Sequence, residues 1–234
     1  METQYLVETF EIEGKLLDAT LRHHPALCPL FSRDFRDVNV GALKRAYLQL
    51  LKLKADYVQY TVPALRAAGE ALRGGDDEDR AWSSQFLDYA SGETDGPSER
   101  GHHIWARDDM RALGAPPEMI DAPPHPGAVL YRKYFVDDVD RHPYAILGAK
   151  GVLEHFAIRV SDDVARGIVE SGIPRAANAT SFFRNHGVID VEHVRDGNRN
   201  VGRLAHPQKR FQVLEGAYFT SGTYRALVHH LLPR

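Results

Sequence analysis

Apolar residues recur along the chain at intervals of three and four, the spacing that one face of an α-helix presents. Leu6, Val7, Phe10, Leu16, Leu17 and Leu21 predict a first helix from Tyr5 to about Arg22, with Gly14 as the place for a kink. His23-His24-Pro25 ends it, because the residue before a proline is pushed out of the α region. From Val40 to Leu72 the stripe Leu43, Ala46, Tyr47, Leu50, Leu51, Lys54, Tyr57, Val58 predicts a long amphipathic helix. Thr61-Val62-Pro63 kinks or divides that helix, since proline removes a hydrogen bond and clashes with the preceding turn. Tyr47, Tyr57 and Tyr60 read as core with their hydroxyls at its edge; one of them facing a substrate pocket is the alternative. Gly74 to Asp79 is a turn whose acidic residues suit a helix N-terminus, so a helix follows from about Glu78 to Ala90, broken by Ser91 to Gly96. Pro97 then opens a helix over Ser98 to Leu113.

Past a proline-rich loop at 115–126, the chain resumes over Val129 to Val139, and Pro143 opens a segment, Tyr144 to Ile158, that is apolar almost all round. Such a segment belongs at the centre of a bundle. Glu154 sits in its middle, and a buried carboxylate costs several kcal/mol unless it is paired or binds a cation. The ligand reading is preferred; Lys150, one turn earlier, is the competing salt-bridge partner. His155 falls on another face and reads as a satisfied polar residue or a support for the ligands. Gly172-Ile-Pro174 separates the helix ending near Ser171 from one beginning near Arg175, and Phe211, Val213, Leu214, Tyr218 and Leu227 mark a last helix from about Gln208 to Leu231. With no internal repeat and no long linker, the pattern predicts an all-α bundle of seven or eight helices forming one domain over 1–234.

Composition narrows the function classes. A hydrophobic content of 43% and a charged content of 26% are those of a soluble globular protein, so no part of the chain calls for disorder. A net charge of −3 and the lack of basic clusters interleaved with aromatics argue against nucleic acid. There is no apolar run of about 18 residues for a membrane span. Met1-Glu-Thr-Gln-Tyr5 lacks the basic-then-apolar order of a leader, so the default location is cytoplasmic. The single Cys28 excludes an internal disulfide and a cysteine-based zinc site, and its apolar surroundings predict a buried, inert thiol.

The chemistry concentrates in His186, Asp190 and His193, spaced four and then three apart. At about 3.6 residues per turn they share one helix face over two turns. Two imidazoles and a carboxylate suit iron, manganese or zinc. With twelve histidines in the chain, however, the triplet alone fits a solvated helix face as well. Upstream, Glu99 and His102 are three apart and would share a face, a pairing that recurs on helices of di-iron bundles, with a salt bridge or cap as the plain alternative. Together with Glu154 the set holds three carboxylates and three imidazoles, which nearly balance two divalent ions. The absence of thiolate favours iron or manganese over a closed zinc site.

The order Glu99-x-x-His102, Glu154, His186-x3-Asp190-x2-His193 resembles that of the haem-oxygenase-like di-iron oxidases, whose fold is shared with thiaminase II and the pyrroloquinoline-quinone biosynthesis protein C. Gly101-His102-His-Ile-Trp105-x-x-Asp108-Asp109-x-x-Ala-Leu-Gly114 is similar to that family's stretch after its first histidine ligand. Leu153-Glu154, Gly172-Ile-Pro174 and Ser181-Phe-Phe-x-x-His186 are similar to its second half. The likeness spans about Glu93 to Leu204, with His24-Pro25 and the helix after it weakly consistent. Many relatives place the first carboxylate six or more residues before the histidine on an uninterrupted helix, whereas Gly96-Pro97 intervenes here; Glu93 or Asp95 is therefore an alternative to Glu99, and His103 to His102.

The resemblance implies a non-haem enzyme that binds two Fe(II) ions, the second a candidate for lability, and uses O2 as co-substrate. It also implies oxidation of a small, amino-acid-derived or carboxylate substrate by N-oxygenation, C–C cleavage or desaturation. An external electron donor and a homodimer are further expectations of the same likeness. Arg107, Arg159, Lys150 and His155 are candidate anchors for a carboxylate, each with a surface or salt-bridge role as the plainer reading. Haem degradation would need a proximal histidine on the first helix, where His23 and His24 sit only at its end. Thiaminase-type hydrolysis would need a reactive cysteine and leave the ligand set unexplained. A metal- or small-molecule-binding helical protein without redox turnover is the alternative from outside enzymology.

Overall fold

The axis of the molecule is α8 (Ala145–Glu170), which buries residues on nearly every side, from Ala145 and Ile146 to Ala165 and Ile168. The structure, a computed structural model, describes residues 3–95 and 101–231. Against α8 pack α1 (Thr3–Arg22), α9 (Ser181–Val201) and α10 (Pro207–His229). The remaining long helices are α2 (Val40–Val58), α3 (Thr61–Leu72), α4 (Asp77–Asp95) and α5 (His102–Ala112). Two short ones, α6 (Pro117–Ile120) and α7 (Pro126–Arg132), complete the described set, the latter running into a π-helical turn at Lys133–Asp137. Helices α3 and α4 pair with each other, and α5 lies between α2 and α9. Among the described residues eight helices are long, within the seven or eight that the apolar periodicity predicts.

Close approach of backbones fixes the neighbours of α8. A Cβ on Gly148 would lie 1.9 Å from the carbonyl oxygen of Val213, and one on Gly216 would lie 1.9 Å from that of Ala145. The crossing of α8 and α10 therefore rests on two glycines that face each other's backbone. On the α1 side, a Cβ on Gly151 would meet the Phe10 ring at 2.5 Å, so α1 is seated by an aromatic in a glycine notch.

The Val40–Leu72 stripe divides as expected, into two helices that part at Gln59 and Tyr60, just ahead of the proline. Four other local expectations are corrected. Helix α4 continues to Asp95 through Gly92, which a helix tolerates at a cost of about 1 kcal/mol. Helix α5 begins at His102 rather than Ser98, because Gly101 adopts φ 63°, ψ 113°, outside the helical region. The shared face expected of Glu99 and His102 lies outside the described residues, as Glu99 does. Helix α9 begins at Ser181 rather than near Arg175, which sits at φ 67° before a 3-10 turn at Ala176–Asn178. Cys28, expected to be buried, is exposed, since Leu27 and Leu30 take the inward positions of its turn. Among the described residues no helix is long and apolar enough to cross a membrane.

A methyl group at residue 148 has nowhere to go, so Gly148→Ala should destabilise the protein by about 3 kcal/mol or more. Gly222→Ala, in the same α10 but with nothing within 4 Å of its added Cβ, should be neutral or stabilising by up to about 1 kcal/mol. Thermal denaturation of the two variants beside the wild type checks the contrast.

Candidate metal centre

Helix α9 presents its polar triplet to α8, and the meeting point is a cluster of buried charge. Asp190 is 3% exposed and Glu154, from the middle of α8, is 7% exposed. His193 Nδ1 lies 3.3 Å from Asp190 Oδ1 and 3.8 Å from Glu154 Oε1. One donor atom from each of the three falls within 4.8 Å of the other two. Lys150 is also in place, with its Nζ 3.2 Å from Glu154 Oε1, so the ion pair weighed against ligation is formed here.

Burial pushes the Glu154 carboxyl up from its ordinary range; Lys150 opposes this and the charge of Asp190 adds to it. His193 is raised by its hydrogen bond to Asp190 in spite of desolvation. Two carboxylates sharing so little space attract any cation or proton that reaches them. This donor set of two carboxylates and an imidazole, with no thiolate, fits a divalent ion of the iron and manganese type.

The other imidazoles form a second group. The rings of His102 and His186 lie at right angles with centroids 4.6 Å apart. Trp105 stacks on His102 at 4.6 Å and meets His186 edge-on at 5.7 Å, while Phe182 lies 4.3 Å from His186. His186 Nδ1 is 2.7 Å from the Phe182 carbonyl oxygen. An Nδ1–H donated to that carbonyl leaves the lone pair on Nε2. His102, Glu154, His186, Asp190 and His193 all line one cavity of about 80 Å³. Thus five of the six sequence-expected ligands are brought together, and Glu99 lies outside the described residues, as do the side chains of Glu93 and Asp95. His103 does not line the cavity; desolvation and Arg107 lower its pKa.

The start of α9 is fixed by a residue the ligand pattern does not include. Asp109, on the same face of α5 as His102 and Trp105, accepts from the Ser181 backbone N–H at 3.0 Å, the Ser181 hydroxyl at 2.6 Å and the Phe182 N–H at 2.9 Å. It caps α9 from another helix, satisfying N–H groups that a helix start leaves open. Tyr47 donates its hydroxyl to Ala179 O at 2.9 Å, tying α2 to the same corner. Both contacts set the rotation of the helix that carries His186, Asp190 and His193.

Other cavity-lining residues escaped the sequence reading as site residues: Lys54, Tyr131, Ser161 and Tyr224. For Lys54 a signal existed, since a lysine occupied an apolar register of the α2 stripe. Tyr57 does face the pocket, the alternative weighed for the tyrosines. Of the proposed carboxylate anchors, only Lys150 reaches the cavity; Arg107, Arg159 and His155 do not line it. His155 packs at 6.1 Å from the Phe10 ring with Nδ1 2.7 Å from Gly151 O. His23 and His24 lie away from the cavity as well. A second cavity of about 190 Å³, reaching Phe10, Tyr89 and Asn200, shares Lys150, Glu154 and His193 with the first.

Comparison with known proteins adds two findings. A profile of the family described as iron-containing redox enzymes matches residues 45–221. The crystal structure of a domain of unknown function with a haem oxygenase-like fold from Shewanella denitrificans OS217 superposes with a TM-score of 0.73 at 16% identity, covering 94% of this chain and 88% of that one. The fold is therefore haem oxygenase-like. No curated protein matches the chain.

Asp109→Ala should cost about 2–4 kcal/mol, because it removes a cap and leaves buried donors unsatisfied. Asp108→Ala, which breaks only the exposed Asp108–Arg111 pair, should change stability by less than about 1 kcal/mol. Urea denaturation of both variants reads the difference.

Proposed function

The chain belongs to the family of iron-containing redox enzymes, and on that premise we propose that it is a non-haem iron oxidase that uses O2 to oxidise a small molecule bound in the cavity beside Glu154 and Asp190. The observation that carries the reading is the convergence of Glu154, Asp190 and His193 donors within 4.8 Å, buried, beside His102 and His186 in the same cavity. Those three residues would hold one ion; His102 and His186, with Glu99 by family resemblance, would contribute to a second. Iron held there supplies one-electron chemistry toward O2, which no side chain of the chain can supply.

The protein's own contribution is orientation and exclusion of water. Asp190 holds the His193 ring by the contact at Nδ1, and the Phe182 carbonyl holds His186. Phe156 and Phe182 line the site with apolar surface and Trp105 packs behind His102 and His186, which strengthens the charge interactions inside it. Lys150 keeps Glu154 from standing as an isolated buried charge. The same environment would suit N-oxygenation, C–C cleavage or desaturation of an amino-acid-derived or carboxylate substrate.

Anaerobic loading with Fe(II), followed by metal analysis and stopped-flow absorbance on mixing with O2, tests the reading. Wild type should retain one to two irons per chain, a range set by the two donor groups, and give a transient visible band. Asp190→Asn and His186→Ala should lower retained iron and abolish the band, while His155→Gln should keep both. A wild type that takes up no iron would sink the proposal. Stable iron that never reacts with O2 would move the protein to the class of metal-binding bundles without turnover.

A further inference from the structure

The cavity contains a charged group that the metal centre does not use. Lys54 projects from α2 and is 7% exposed. Its ammonium lies 4.5 Å from the Tyr224 ring centroid, 4.6 Å from that of Phe156 and 6.0 Å from that of Phe182. A cation gains from aromatic faces, but rings do not replace the hydrogen bonds that an ammonium loses on leaving water. Desolvation accordingly lowers Lys54 to about 7, with Asp190 as the charge that opposes it. Among the described residues, Tyr224 Oη and Ser161 Oγ, both buried and both on residues lining this cavity, find no hydrogen-bond partner. Buried hydroxyls without partners are rare enough to need a cause. An oxygen-rich ligand supplies one.

Charge points the same way. Among the described lining residues, the carboxyls of Glu154 and Asp190 are matched in number by the amines of Lys54 and Lys150. A divalent ion held by the two carboxylates would leave the lining with a net positive charge. A pocket with that surplus favours an anion, and its other walls include aromatic and aliphatic side chains, among them Phe156, Val58 and Val160.

We propose that Lys54 is the anchor for the carboxylate of the substrate, with the Tyr224 hydroxyl donating to the same group, so that the apolar remainder of a small monocarboxylic acid lies along the cavity beside the metal ligands. The inference rests on the metal reading, since the surplus charge comes from the ion. Burial pushes the Tyr224 hydroxyl far up, which keeps it a donor. Lys54 acts by ionic pairing and position, and no bond to it is made or broken.

The test is calorimetric binding to the anaerobic Fe(II)-loaded full chain of propanoate, hexanoate, benzoate and phenylacetate, each beside its neutral primary amide. At least one acid should bind the wild type, and its amide should bind about tenfold more weakly or worse. Lys54→Met should weaken that acid by about tenfold or more and leave the amide unchanged. Tyr224→Phe should weaken the acid by about threefold to tenfold without lowering the melting temperature, since the hydroxyl it removes has no partner to lose. This second variant keeps the question open to refutation if Lys54→Met folds poorly. Iron content is read on the same samples. Iron missing from the wild type overturns the metal reading beneath the inference. Iron present with no acid bound, with amides bound as well as acids, or with Lys54→Met and Tyr224→Phe both indifferent, overturns the anchor alone.

Discussion

Two carboxylates face each other inside this bundle, and much of the surrounding structure can be read as the means of keeping them there. Glu154 and Asp190 come from different helices, both almost wholly withdrawn from solvent. Separately each would be expensive, and together they repel. The protein meets this with cations and near-cations at short range: Lys150 on Glu154, His193 between the two acids, and Lys54 sensing Asp190. What remains is a pocket whose acidic groups are held in position at short range from one another, which is the arrangement a divalent ion requires of its site.

Holding them there is a matter of helix placement to within a fraction of a turn. Helix α8 is pinned lengthwise by the glycine contacts with α10 and by Phe10 of α1, so Glu154 has a fixed height. Helix α9 is pinned at its start by Asp109, whose two oxygens accept three hydrogen bonds from the first turn. From that turn, Asp190 and His193 follow with the helical repeat. Helix α5 thereby does two jobs with one face: His102 lies in the cavity, and Asp109, seven residues on, sets the helix that carries the other ligands.

The bundle and most of the candidate centre were legible in the sequence for a simple reason. Helical periodicity, proline breaks and ligand spacing are local, and His186, Asp190 and His193 need only one helix to share a face. Glu154 was legible as an anomaly, a charge in an apolar run. What was not legible is what depends on turns or on partners distant in sequence. The break at Gly101 is a backbone state that glycine permits but does not announce, so the start of α5 at His102 was not legible. Asp109 looked like one of two adjacent acids, and only the arrival of α9 distinguishes it from exposed Asp108. Tyr224 shares its face of α10 with Thr220 and Ser221, and no apolar register singles it out.

The two cavities that meet at Lys150, Glu154 and His193 carry one further consequence. Their partition is built from the charged cluster itself, so the chambers are not independent compartments. Lys150 touches both, leaning on Glu154 at one end and lying 5.8 Å from the Tyr89 ring in the larger chamber. A molecule in either chamber therefore meets the same charged partition, with the Lys150 ammonium and the Glu154 carboxylate presented to both sides.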